Sequence, residues 1–347
     1  MIRFECDYLE GAHPAIMDAL MKANMEQTVG YGVDEYCESA RGRILDECGL
    51  ENAAVHFISG GTQTNLIACS AFLKPWQGAI CADSGHIAVH ESAAVEATGH
   101  KVLTIPAKDG KITAAQVEDF CEAHYSDSNV EAAVEPGMVY ISQPTEYGTI
   151  YSRRELQEMK RVCEKYHMPL FIDGARLIYA LACRENDADL KDIAHSCDAF
   201  YIGGTKAGLL LGEAMVIVNP ELNAGFRHTL KQRGAMLAKG RVLGIQFDTL
   251  FKDGLYKEIG AHAMTLADKI RKALSENGFE FYVASPTNQI FIVMEDALVE
   301  KLKDRYSFAL WEKAGKGRSV MRICTSWATD PKAVDCMLND VIAAKNA

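Results

Sequence analysis

The 347-residue sequence predicts an α/β fold: a mainly parallel sheet flanked by helices, followed by a smaller α+β C-terminal domain. Three observations predict it. Short apolar runs alternate with helix-like segments from residue 53 to residue 204, the pattern of a parallel sheet covered on both faces. Two capping boxes, Thr113 with Gln116 and Ser152 with Glu155, mark helix starts between those runs. After "NPELN" (219–223) the rhythm changes to long helical stretches and then strands.

The elements follow in order. "AAVHFIS" (53–59) reads as a strand and "TQTNLIACSAFL" (62–73) as a helix. "GAICAD" (78–83) and "KVLTIPA" (101–107) read as strands around a helix near 87–98. The first capping box opens a helix over 114–124. "GMVYISQ" (137–143) is a strand, and the second box opens a helix reaching about Tyr166. "MPLFID" (168–173) and "DAFYIGG" (198–204) are short apolar strands, each ending at a polar site. Helices are expected over 226–252 and 256–276. Then come the strands "FEFYVA", "QIFIVM" and "SVMRICTSW", with a helix near 297–304 between the last two. Asp330-Pro331 supplies an N-cap and a first-turn proline for a final helix. The expected division is an N-terminal segment (1–25) packing with the small domain, a large domain (26–252) and a small C-terminal domain (253–347).

A formal charge of −11 argues against a nucleic-acid partner, which requires a basic face. It leaves room for a small anionic substrate held by a few arginines. No apolar run is long enough to span a bilayer, and the start lacks a charged-then-apolar signal pattern. Eleven cysteines occur without a Cys-x-x-Cys pair, several in apolar contexts such as Cys69, Cys81 and Cys163. They read as small hydrophobes of a reduced, cytoplasmic protein rather than disulfides or zinc ligands.

In doubly wound sheets, ligands bind beyond the carboxyl ends of the strands, and three such ends carry unusual residues. "SGGTQTN" (59–65) combines two glycines, the Thr62 hydroxyl and a helix N-terminus, a set that suits phosphate and also makes a plain turn. "FIDGARL" (171–177) ends a strand on Asp173, with Arg176 three residues on; it is either a structural ion pair or a carboxylate for a cationic ring nitrogen. "YIGGTKAGLLLGEA" (201–214) sets Lys206 in an apolar, glycine-rich run. Its ammonium either escapes along the stem to water or is lost in a Schiff base. A phosphate cradle, a carboxylate and a lysine match the three handles of pyridoxal phosphate (PLP).

Together, "SGGTQTN", "HIAVHE", "DGARL", "GGTKAG" and "MRICTSWAT" resemble the low-specificity L-threonine aldolases of the β-eliminating lyase group, fold-type I PLP enzymes. The resemblance runs in order over nearly the whole chain. It implies cofactor contacts from Gly61, Thr62, His86, Asp173, Arg176, Thr205 and Lys206. Lys231 or Arg233 would reach the phosphate from a segment that closes the site between subunits. Arg176 and Arg322 would hold the substrate carboxylate, with Cys6, Tyr31 and Glu91 close by. Lys206, His86 and Asp173 would act in catalysis, His86 or a water it orients being the base. His86 and His90 lack a third ligand for a metal, so none is expected.

The implied reaction is retro-aldol Cα–Cβ cleavage of L-threonine, L-allo-threonine or a related β-hydroxy-α-amino acid to glycine and an aldehyde. A β-eliminating lyase, an aminotransferase or a non-catalytic PLP carrier would use the same core residues. The implied assembly is a homodimer or homotetramer with its site at the subunit interface. One departure stands out: relatives carry an Asn-Thr-His segment after the strand at 137–143, whereas this chain reads "SQPTEYG" (142–148), without a histidine.

Overall fold

The computed structural model describes residues 1–346. Seven strands form the central sheet in the order Ala54–Ile58, Glu213–Ile217, Ala199–Gly203, Leu170–Asp173, Glu135–Ser142, Gln77–Ala82 and Lys101–Ile105. Glu213–Ile217 runs antiparallel to both its neighbours, and the remaining pairs are parallel. The strands are mostly apolar because both faces are covered. Ile80, Val139, Ile172 and Ile202 face one core cluster, and Cys81, Tyr140, Phe171 and Tyr201 face the other.

A second, antiparallel sheet orders Ala309–Lys313, Arg318–Cys324, Gln289–Glu295 and Glu280–Phe281. Helix Leu255–Glu276 spans between the sheets and packs on helix Leu177–Leu181 of the first. The chain start joins both parts: Ile2–Arg3 pairs with Tyr306–Ser307, while helix Pro14–Ala23 packs on helix Arg241–Leu250.

Both capping boxes form, opening helices Ala114–Tyr125 and Arg153–Lys165. Two expected helices divide. The one near 87–98 is a single turn, His86–Val89, and a 3₁₀ turn, Glu96–Thr98, separated by Ser92 and Ala93 in left-handed conformation. The one over 226–252 becomes Phe226–Gln232 and Arg241–Leu250, interrupted at Gly234 with φ +74°. Glu213–Ile217 and Ala309–Lys313 are strands that the sequence pattern did not single out, the first because a left-handed Gly212 reverses the chain within one apolar run.

Candidate active site

The carboxyl ends of the parallel strands open into a cleft of about 1000 Å³. Asp173 is the last residue of its strand and lies one pleat beyond Phe171, on the same face. The neighbouring strands place tyrosines there. Tyr140 donates to Asp173 Oδ2 at 2.6 Å and Tyr201 to Oδ1 at 2.5 Å. The Ala175 N–H adds 2.9 Å to Oδ1, and Asn65, from the helix covering this face, donates at 3.0 Å to Oδ2. Burial pushes the Asp173 carboxyl up, but nearby His86 and the tyrosine hydroxyls outweigh it, holding the group below its ordinary value. Gly174 permits the turn that follows, since a Cβ there would lie 1.9 Å from the Tyr201 carbonyl oxygen.

Asn65 Nδ2 also donates to Glu91 Oε1 at 2.7 Å, and the same oxygen meets His86 Nδ1 at 2.7 Å. Glu91 is buried behind His86 and does not line the cleft. With Nδ1 engaged, the His86 ring turns Nε2 toward the open side. Burial lowers its proton affinity, but Glu91 and Asp173 outweigh that, and the imidazole sits above its ordinary value.

Lys206 follows the next strand end, in the loop between Ala199–Gly203 and Glu213–Ile217. It lines the cleft, and burial together with Arg176 lowers its proton affinity below the usual lysine range. Thr205 donates to Glu213 Oε1 at 2.8 Å, and Glu213 Oε2 accepts from the Gly204 N–H at 3.0 Å. Burial pushes the Glu213 carboxyl up to about 7.

Arg176 and Arg322 both reach the cleft, in different states. Arg176 forms a two-pronged pair with buried Asp7, at 2.7 and 3.0 Å. Asp7 also accepts from Asn288 at 2.9 Å. Arg322 donates to the Glu5 carbonyl at 3.0 Å and makes a long 3.4 Å contact to Gln289. Its Nε and the Gln289 Nε2 are buried without an acceptor among the described residues. Trp311 lies under this guanidinium, 5.4 Å from ring centroid to Cζ.

Gly61 and Thr62 line the cleft where helix Gly61–Phe72 begins, and among the described residues no side chain caps that helix. Tyr31, Lys231 and Arg233 stand elsewhere in this chain. Lys231 Nζ sits 4.8 Å from the Tyr31 ring centroid, and Tyr31 lines a separate small cavity with Arg227 and Met236. Arg233 donates to Ser70 at 3.0 Å. Cys6 is half-buried beside the cleft, whose wall takes Tyr8 from that segment instead. Sequence reasoning missed Asn65, Tyr140, Tyr201 and Glu146, and aligned Asp7 with an N-terminal Ser-Asp pair of the resembled family without giving it a role. Tyr201 carried a usable signal, since it lies on a strand already marked as ending at a polar site, whereas no such end was marked for the strand of Tyr140.

These residues fit PLP. An uncapped helix N-terminus offers free N–H groups to a phosphate, a buried ionised Asp173 suits a pyridinium, and Lys206 has a lowered proton affinity. Fold and site together define a fold-type I PLP-dependent enzyme.

A beta-eliminating lyase family model matches residues 4–297, and the chain belongs to that family. A low-specificity L-threonine aldolase from a Pseudomonas species is 28% identical, over 99% of this chain and 98% of its own. The solved threonine aldolase of Leishmania major superposes with a TM-score of 0.95 at 43% identity, covering 100% of this chain and 99% of that one. Cystalysin of Treponema denticola, a PLP-containing structure, shares the fold with a TM-score of 0.74 at 16% identity, covering 100% of this chain and 91% of its own.

Proposed function

We propose that this protein is a PLP-dependent aldehyde-lyase that cleaves L-threonine and related β-hydroxy-α-amino acids to glycine and an aldehyde. The observation that carries it is the convergence of Lys206, Asp173 and the uncapped helix start at Gly61 on one cleft, in a chain similar to threonine aldolases along its whole length. When bound, the cofactor supplies the electron sink that lets a Cα–Cβ bond break.

The chain's own residues do the rest. Lys206 would hold the cofactor's aldehyde carbon, Asp173 would keep the ring nitrogen protonated, and His86, braced by Glu91, would hold the ring in the cleft. Gly61, Thr62 and Thr205 would hold the phosphate, Thr205 through an acceptor contact only, since its hydroxyl hydrogen is given to Glu213. Arg322, which lines the cleft and makes only a carbonyl contact and a long amide contact, receives the substrate carboxylate. Arg176, committed to Asp7, shapes the site beside it.

Incubation with L-threonine tests the reading. Acetaldehyde and glycine are expected; an oxo acid with ammonia would mark a β-eliminating lyase, and amino-group transfer to a keto acid an aminotransferase. Borohydride reduction followed by peptide mapping should attach the cofactor to Lys206, and Lys206→Ala should abolish both labelling and cleavage.

The same proposal extends to assembly. Met21, Met25, Val29 and Tyr31 are exposed near the chain start, Met25 at 87%. A second copy covering this face would bury them and bring Tyr31 and Lys231 toward its site. Light scattering should show a dimer or tetramer. A cytoplasmic location is supported by nine buried free cysteines. Among the described residues no helix is long and apolar enough to cross a membrane.

A further inference from the structure

Four carboxylates line the cleft: Asp83, Glu146, Asp173 and Glu213. Asp173 receives four donors, and each oxygen of Glu213 receives one. Asp83 is exposed and accepts the Ala107 N–H at 3.1 Å. Glu146 differs from all three. It is buried, and both of its donors bind one oxygen: Ser142 Oγ at 2.7 Å and the His86 N–H at 2.9 Å converge on Oε1. Oε2 has no donor among the described residues, yet it is not sealed inside the protein. It is the oxygen left for the cleft.

The loop that carries Glu146 is held from several sides. Gln143 N–H donates to the Asp173 carbonyl at 2.8 Å, and the Gln143 side chain bonds both backbone groups of Tyr151, at 3.0 and 2.8 Å. Thr145 and Gly148 close the turn at 2.8 Å each, and Thr287 reaches the Gly148 carbonyl at 2.9 Å. A carboxylate held this way loses little entropy when it meets a substrate.

Resting on the aldolase reading above, we propose that Glu146 is the catalytic base of this cleft, taking the proton of the substrate β-hydroxyl on Oε2. The O–H bond pair becomes the second bond of the departing aldehyde carbonyl. The Cα–Cβ pair stays with Cα, which is then protonated to give glycine. Burial pushes the Glu146 carboxyl above its ordinary value, which strengthens it as a base. His86 suits the task less, because Glu91 and Asp173 favour its protonated form and its Nδ1 is engaged. Glu146 belongs to "SQPTEYG", the segment in which this chain has no histidine.

Glu146→Gln tests the assignment, since its amide oxygen can still accept from Ser142 and His86 while its nitrogen cannot take a proton. Threonine cleavage should fall about 100-fold or more. Glycine has no hydroxyl, so its equilibrium binding, read from the cofactor absorbance, should change by less than about 3-fold. The melting temperature of the cofactor-free protein should stay within a few degrees. Cleavage within about 3-fold of wild type, or glycine binding lost in step with cleavage, overturns the proposal. If the amide variant does not fold, Glu146→Asp replaces it, with the same split expected at about 10-fold and the same two outcomes overturning it. A wild-type protein that releases no aldehyde from any β-hydroxy amino acid would instead overturn the aldolase reading itself.

Discussion

Arg176 and Arg322 face the same cleft from two parts of the molecule, and they hold their charge in opposite ways. Arg176 stands at a strand end of the large sheet and spends its fork on Asp7, whose side chain is completely buried. Arg322 stands on a strand of the small sheet and meets a carbonyl, a distant amide and the face of Trp311 but, among the described residues, no carboxylate. A buried pair whose hydrogen bonds are satisfied is a structural joint, costly to break from either side. A guanidinium that lines the cleft with only a carbonyl and a long amide contact is a receptor waiting for an anion. Residue type and the cleft they line are the same for both arginines. The difference is a counter-ion supplied in one case by the protein and in the other by the ligand.

The largest expected effect breaks the first half of that comparison. Asp7→Asn leaves the Arg176 charge without its partner in a buried setting and should destabilise the protein by roughly 3–5 kcal/mol. Chemical denaturation of the cofactor-free protein measures this. A loss under about 1 kcal/mol would mean that Arg176 is effectively solvated and free to bind substrate.

Arg322→Ala tests the second half. It should lower kcat/KM for threonine by roughly 10- to 100-fold, the size of a lost charged hydrogen-bond partner of about 1.5–3 kcal/mol. Cofactor content and stability should hold. Arg322→Lys should recover only part, because a point charge does not reproduce a planar fork. Wild-type kinetics in the alanine variant would remove Arg322 from the site.

The acid limb of stability sharpens the same contrast. Asp7 sits at about 2 against an ordinary 3.8; burial alone would raise it, and the charges of Arg176 and Lys206, with the Arg176 and Asn288 hydrogen bonds, together more than reverse that. Because the folded-state value is depressed, the contribution of roughly 2 kcal/mol is fully present above pH 4. It is lost as pH falls through about 2. Denaturation midpoints between those limits should therefore fall in the wild type and flatten in Asp7→Asn. Arg322→Ala should leave that slope unchanged.

Much of the site was legible one strand at a time. Asp173 and Lys206 each follow an apolar run, and a polar residue at the end of such a run reads as exposed at the sheet's carboxyl edge. Arg322 alternates with buried Met321 and Ile323, so its direction followed from the pleat. The glycine-rich turn before Thr62 likewise announced an open helix start. Glu146 was hidden because a short polar loop carries no period from which a direction can be read.

The sequence by itself determined the order of elements, both capping boxes and the polar strand ends, since all of these depend on contacts within a few residues. Tertiary structure alone decided which strands lie side by side. That placed Tyr140 and Tyr201 around Asp173 and brought Asp7 to Arg176 across 169 positions. It also decided that Tyr31 and Lys231 stand away from the cleft of their own chain. The physical reason is that register and packing come from burying two sheet faces at once. No local pattern records which distant residue will fill the space beside a given charge.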